Sequence, residues 1–182
     1  MGWDEQRFAR FRDAVVAHAR GQRPGYGHPH VLMPYDEREE LAAIKAAREL
    51  PAYLREQGLS ARCEPIAQRV AEVLQRFATR SLPGGEEYDR LEHDLSGPVG
   101  VASLLASSLA RTHDGSPPAV LILARLGALY PFAHVSATLE ALYAAGLTST
   151  LAVLYPGSAD GLRLSFLGLV EPTGGYRGEI VT

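Results

Sequence analysis

Lysine and cysteine are nearly missing from this 182-residue chain. Of 18 basic residues 17 are arginine; Lys45 is the one lysine and Cys63 the one cysteine. A phosphate-binding loop of the G-x-x-x-x-G-K-[ST] type places its lysine beside glycines, whereas Lys45 sits in Ala-Ala-Ile-Lys-Ala-Ala. One cysteine permits no intrachain disulfide and no cysteine-rich zinc or iron–sulfur site. Strong charge is missing as well: the net charge is −3, with no basic stripe that would mark a duplex-binding face. No apolar run approaches 18 residues and the N-terminus has no signal-peptide core, so a cytoplasmic location without a membrane span is expected. The arginine bias itself reads as a genomic habit.

What is present is unevenly spread. Residues 1–94 carry 30 of the 39 charged residues, and residues 95–182 carry nine. The charge-poor half is rich in aliphatics, as the buried strands of a parallel sheet are. Phe8, Phe11, Val15 and His18 are spaced as one face of a helix over 4–20. Val31-Leu32-Met33 reads as a strand closed by Pro34. Asp36 with Glu39 approximates a capping box for a helix with Leu41, Ile44, Arg48 and Leu54 on one side and a break at Pro51. Residues 59–64 form a second short strand. Pro65 then opens a helix striped by Ile66, Val70, Val73, Leu74 and Phe77. After a loop at 81–85 and an acidic stretch at 86–94, Val101, Leu104, Leu105 and Leu109 resume a helical spacing.

Residues 119–124 give the strongest strand signal. A helix from Pro131 through Phe132, Val135, Leu139 and Leu142 ends near Gly146. Residues 150–155 form another buried strand, 156–161 a turn, 162–167 a returning strand, and 176–181 an edge pairing. The order β-α-β-α-α-β-α-β-β defines a single α/β domain over 1–182: an open, mostly parallel sheet with flanking helices and a C-terminal antiparallel hairpin, its sheet core concentrated in 117–182. The order is Rossmann-like or P-loop-like, without a Walker motif.

Two loops at strand ends stand out. Arg125–His134 joins a buried strand to a helix N-terminus, where N–H groups and the helix dipole favour an anion, with His134 in the first turn. Pro156-Gly-Ser-Ala-Asp-Gly161 follows the next strand, so both are expected on one rim. The candidate partner or ligand surface is therefore Tyr130, Pro131, Phe132, His134, Pro156, Gly157, Asp160, Gly161 and Arg163, extended by Tyr176 and Arg177. His28-Pro-His30 has H-x-H spacing but lacks a third ligand, and Ser158 does not lie in a G-x-S-x-G elbow. These residues make neither a catalytic set nor a metal or cofactor site. They leave open an interaction module or a nucleotide- or phosphate-binding domain without hydrolysis.

Leu129-Tyr-Pro-Phe-Ala-His134, Leu154-Tyr-Pro-Gly-Ser-Ala-Asp-Gly-Leu-Arg-Leu-Ser-Phe-Leu-Gly168 and Gly175-Tyr-Arg177 resemble the BrxB family of BREX bacteriophage-exclusion systems. Gly25-Tyr-Gly27 and Tyr35-Asp-Glu37 extend the likeness toward the N-terminus. The chain departs from the family pattern at His134 and Ser136, where the family often carries Arg and His, and at Ser165-Phe166-Leu167, where the strand Phe is displaced. The resemblance implies a non-catalytic part in anti-phage defence: an adaptor that binds PglZ, an alkaline-phosphatase-like protein, and other BREX components. The residues themselves point to no cofactor and the near-neutral charge to no direct nucleic-acid binding, and a homodimer is compatible with the resemblance.

Overall fold

The structure, a computed structural model, describes residues 3–23, 29–78, 100–110, 117–169, 176 and 178–182. In chain order these form α1 (Glu5–Ala19), β1 (His30–Tyr35), a 3-10 turn (Glu37–Glu39), α2 (Glu40–Glu56), β2 (Ala61–Pro65), α3 (Ile66–Ala78), α4 (Val101–Ala110), β3 (Val120–Ala124), a second 3-10 turn (Leu126–Leu129), α5 (Val135–Ala144), β4 (Thr150–Asp160), β5 (Arg163–Phe166) and β6 (Glu179–Ile180). They fall into two compact units. One comprises Met1–Pro65, Pro118–Leu126 and Ser149–Thr182; the other comprises Ile66–Pro117 and Gly127–Thr148.

The first unit holds the sheet, in the order β2-β3-β4-β1-β6, with β5 paired to β4. Every pairing along the main path is parallel, and β5 is antiparallel to β4. The expected α/β fold with a mostly parallel sheet is therefore what the chain adopts. One face carries Val31, Met33 and Tyr35 of β1, Val120, Ile122 and Ala124 of β3, and Ala152 and Leu154 of β4. These pack with Phe11 and Val15 of α1 and Leu50 and Leu54 of α2. Alternation puts Leu32, Leu121, Leu123, Leu151 and Val153 on the other face, and all five are also buried. Burial on both faces is why these strands read as unbroken hydrophobic runs.

Several boundaries differ from the sequence reading, each for a local reason. β1 does not stop at Pro34 but continues to Tyr35, in register with β4. The Leu32 carbonyl accepts from Val181 N–H on the β6 side, so Pro34, two residues on, turns its N–H-less nitrogen the same way. The pairing with β6 covers only Val31 and Leu32, so at Pro34 no ladder bond is lost. Pro65 ends β2 rather than opening α3. Helix α2 runs through Pro51, and its buried side is Ala43, Ala46, Ala47, Leu50 and Leu54; Leu41 is exposed. Asp36 caps the 3-10 turn, accepting from Arg38 N–H at 2.9 Å, and α2 itself starts at Glu40.

The second unit consists of α3, α4, α5 and part of the second 3-10 turn, with α4 packed on α3 and α5. Ile66, Val70 and Val73 are the buried positions of α3; the side chain of Phe77, the loop at 81–85 and the acidic stretch at 86–94 lie outside the described residues. In α4 the buried side is Val101, Leu105, Ala106 and Leu109, and in α5 it is Val135, Thr138, Leu139 and Leu142.

Candidate functional site

After β1 the chain passes β4 and β3 to reach β2 at one edge, whereas after β4 and β5 it passes β1 to reach β6 at the other. The connections leaving the neighbouring strands β1 and β4 thus run in opposite directions. That is the topological switch point, and a crevice outside the C-terminal ends of such strands is where open α/β sheets place their sites. A cleft of about 580 Å³ lies there. Pro34 and the Asp36–Glu39 turn wall it on the β1 side, and Gly157, Ser158 and Ala159 on the β4 side. Asp4 and Arg7 of the α1 N-terminus, Gly168 and Thr182 complete it.

Local bonds hold these walls. Asp4 caps α1, accepting from Arg7 N–H at 2.8 Å, and that bond keeps its carboxyl below the usual carboxylate range. Asp36 caps the 3-10 turn, with the Arg38 guanidinium 3.9 Å from its carboxylate. Tyr35, at the end of β1, is buried and donates its hydroxyl to Glu40, fixing the turn between them; burial first, and then the Glu40 carboxylate, push the phenol well above its ordinary pKa. Across the cleft, Gly157 has φ +147°, and a Cβ there would lie 2.0 Å from the Ser165 carbonyl oxygen. Only glycine lets β4 and β5 approach this closely.

The expected loop at 156–161 is largely strand. Pro156 to Asp160 belong to β4, with Gly157 opposite Phe166 and Asp160 opposite Arg163. The turn itself is only Gly161-Leu162, with Gly161 at φ +58°. A two-residue hairpin with ladder bonds on both sides has no spare row of N–H groups for a phosphate cradle. Beneath it, Tyr155 is fully buried, with its ring 5.5 Å from Phe166 and 5.7 Å from Tyr176, and the two tyrosine hydroxyls 3.3 Å apart. Burial is the main reason its phenol pKa is raised, followed by Tyr176.

The other half of the predicted surface belongs to the second unit. Tyr130-Pro131 is a cis peptide, and α5 begins at Val135 rather than at Pro131. His134 is therefore the N-cap residue, extended and exposed, not a first-turn residue, and its side chain makes no capping bond. Tyr130 and Pro131 are exposed and Phe132 is half-buried. The structure thus brings Pro156, Gly157, Asp160, Gly161 and Arg163 together on one hairpin, with Tyr176 against Tyr155 at its base. It places Tyr130, Pro131, Phe132 and His134 in the other unit. Arg177 and His28 lie outside the described residues.

The cleft residues Asp4, Arg7, Asp36, Glu37 and Glu39 were not in the predicted surface. Asp36 and Glu39 read as a capping signal alone, and only the sheet order brings that cap opposite Gly157. Among the described residues, no group of three His, Cys, Asp or Glu side chains could hold a metal ion, and no helix is long and apolar enough to cross a membrane.

Fold and cleft together define the class: an open, mostly parallel α/β domain whose crevice sits at a switch point. The family model for BREX protein BrxB matches residues 62–180, well over half of the chain. The chain belongs to the BrxB family, and so to the components of BREX anti-phage defence. The match runs from β2 to β6 and takes in three of the segments that carry the resemblance in the sequence, 129–134, 154–168 and 175–177, while 25–27 and 35–37 precede it. No curated protein and no solved structure matches the chain.

Proposed function

We propose that this chain is a non-catalytic adaptor of a BREX system, docking onto a PglZ-like protein of the alkaline-phosphatase superfamily and through it onto other components. The observation that carries this reading is the set of large apolar side chains that the sheet unit leaves in solvent: Leu41 at 83% exposure, Leu162 at 74% and Leu169 at 66%. Exposed aliphatic side chains of this kind are available for a partner to bury.

Four groups of types that could do chemistry are engaged or sheltered in the fold, which supports the same reading. His18 is buried and bonds Glu179 at 3.0 Å. Burial, and secondarily Glu64, push the Cys63 thiol pKa up, against the weaker pull of Arg48, which makes it a poor nucleophile. Ser149 and Thr138 donate their hydroxyls to the carbonyls of Pro118 and His134, at 2.6 and 3.1 Å. Co-expression with the PglZ-like protein, with one chain tagged, should recover both on the affinity column. Recovery of the tagged chain alone would count against docking. The second reading, a nucleotide- or phosphate-binding domain, is favoured by the cleft's position at the switch point. Calorimetric titration with ATP, GTP and NAD tests it; the adaptor reading expects no heat, and saturable heat at micromolar ligand would favour the alternative.

A further inference from the structure

We propose that β2 pairs antiparallel with β2 of a second copy of this chain, about a two-fold axis at Cys63; this pairing needs no PglZ-like partner and stands apart from the adaptor reading. β2 is the last strand at one end of the sheet, and among the described strands it is bonded to β3 alone. The opposite end is β6, whose two residues are too few to carry a pairing. The Ser60 carbonyl accepts from Val120 N–H at 3.0 Å, and Ala61 stands in register with Val120. In such a ladder Ser60, Arg62 and Glu64 turn their backbone groups toward β3, and Ala61, Cys63 and Pro65 turn theirs outward. With the axis at Cys63, the two copies of that residue exchange N–H···O bonds at the centre of the interface.

The charges of β2 single out a second copy as the occupant. Arg62 and Glu64 lie on one face of the strand with their side chains 2.8 Å apart, while Ala61 and Cys63 pack on the core at the other face. Pairing about Cys63 sets Arg62 opposite Glu64 of the second copy, and Glu64 opposite its Arg62. These are the non-hydrogen-bonded positions of the new ladder, where facing Cα atoms are about 4.5 Å apart and side chains come closest. Opposite charges stabilise such facing pairs and like charges destabilise them. The neighbouring two-fold registers fail on this ground: an axis at Arg62 faces arginine with arginine, and an axis at Glu64 faces glutamate with glutamate. Sheet edges are commonly guarded by charged side chains or a proline. On β2 the proline, Pro65, stands at the end of the strand, and the charges are of opposite sign, so a second copy in this register meets attraction. The Glu64 side chain is 7% exposed and that of Arg62 34%, so solvent screens the facing pairs only weakly. An edge that is its own complement is what a two-fold interface requires. The ladder is short, so the dimer is weak and forms at high concentration.

Light scattering on the purified full chain alone, from about 10 to about 500 µM, tests the pairing. The mass should rise with concentration from 19.6 kDa toward twice that value. Arg62→Glu and Glu64→Arg each set like charges across the axis, and each variant alone should self-associate roughly tenfold more weakly. An equimolar mixture of the two restores opposite charges at every facing position, and its association should return to the wild-type level. A wild-type mass constant at 19.6 kDa would overturn the proposal, as would a mixture of folded variants no heavier than either alone. Cys63→Pro keeps the test decisive where a charge variant does not fold. The nitrogen it alters points away from β3, so the β3 ladder is retained and only the central bonds of the dimer are lost. With a cooperative melt retained, Cys63→Pro should stay monomeric across the range; wild-type association in this variant would place the interface elsewhere and overturn the proposal.

Discussion

Gly157 and Gly161 are four residues apart on one hairpin, and the same substitution should have unequal effects on them. A Cβ at Gly157 meets the Ser165 carbonyl at 2.0 Å, whereas at Gly161 it meets nothing within 4 Å. Gly157→Ala should therefore destabilise the chain by about 2–4 kcal/mol, since β4 and β5 must part to admit the methyl. Gly161→Ala adds only left-handed backbone strain, about 1 kcal/mol. Urea midpoints of the two variants check the ordering, and equal midpoints would contradict it. Tyr35 and Tyr155 make a second residue-scale prediction. Both phenols have pKa values raised above the ordinary 10.0, so the folded state holds their protons after the unfolded state has released them. Their contribution is present in full below pH 10 and is lost as pH rises above it. The urea midpoint should fall above about pH 10, and Tyr155→Phe should make that fall shallower; an identical fall would exclude Tyr155 as a cause.

Among the elements, β6 is the most lightly held strand, with two residues in register with β1. Its fixings are side chains: Glu179 bonds His18 at 3.0 Å and also takes the guanidinium of Arg23, and Arg10 donates to the Thr182 carbonyl at 3.0 Å. Glu179→Gln should loosen the strand at a cost of about 1–2 kcal/mol. Hydrogen exchange at the Val181 amide, which bonds Leu32, should accelerate while amides in β3 keep their protection. Unchanged exchange at Val181 would show that the ion pairs do not hold β6. The same scale shows what the sequence makes legible. β3 and β4 announce themselves because burial on both faces leaves no polar residue in Val120–Ala124 and almost none in Thr150–Tyr155. The extent of β1 is hidden, because whether Pro34 breaks a strand depends on where β6 ends, a fact of pairing and not of local sequence. The 156–161 segment misleads for a related reason. Pro, Gly, Ser and Asp are turn formers, yet here Pro156 and Gly157 are buried in a ladder whose close approach needs the glycine.

At the scale of the whole molecule, the cleft could not be read from one stretch of chain. Its walls come from residues 4–7, 34–39, 157–159, 168 and 182, brought together by the sheet order. The same order bears on the BrxB match, which begins at residue 62 and leaves out α1, β1 and α2. Yet β1 stands between β4 and β6, and α1 and α2 cover one face of the sheet. A chain starting at residue 60 should therefore be insoluble or lack a cooperative thermal transition; a cooperative, native-like melt would show that the N-terminal third is dispensable to the fold. The central claim is that the chain works by binding a defence partner rather than by a reaction of its own. Size-exclusion chromatography with light scattering on a micromolar mixture of the purified chain and the PglZ-like protein tests it most directly. The account predicts a peak whose mass is that of both chains together, and two peaks at the separate masses would contradict it.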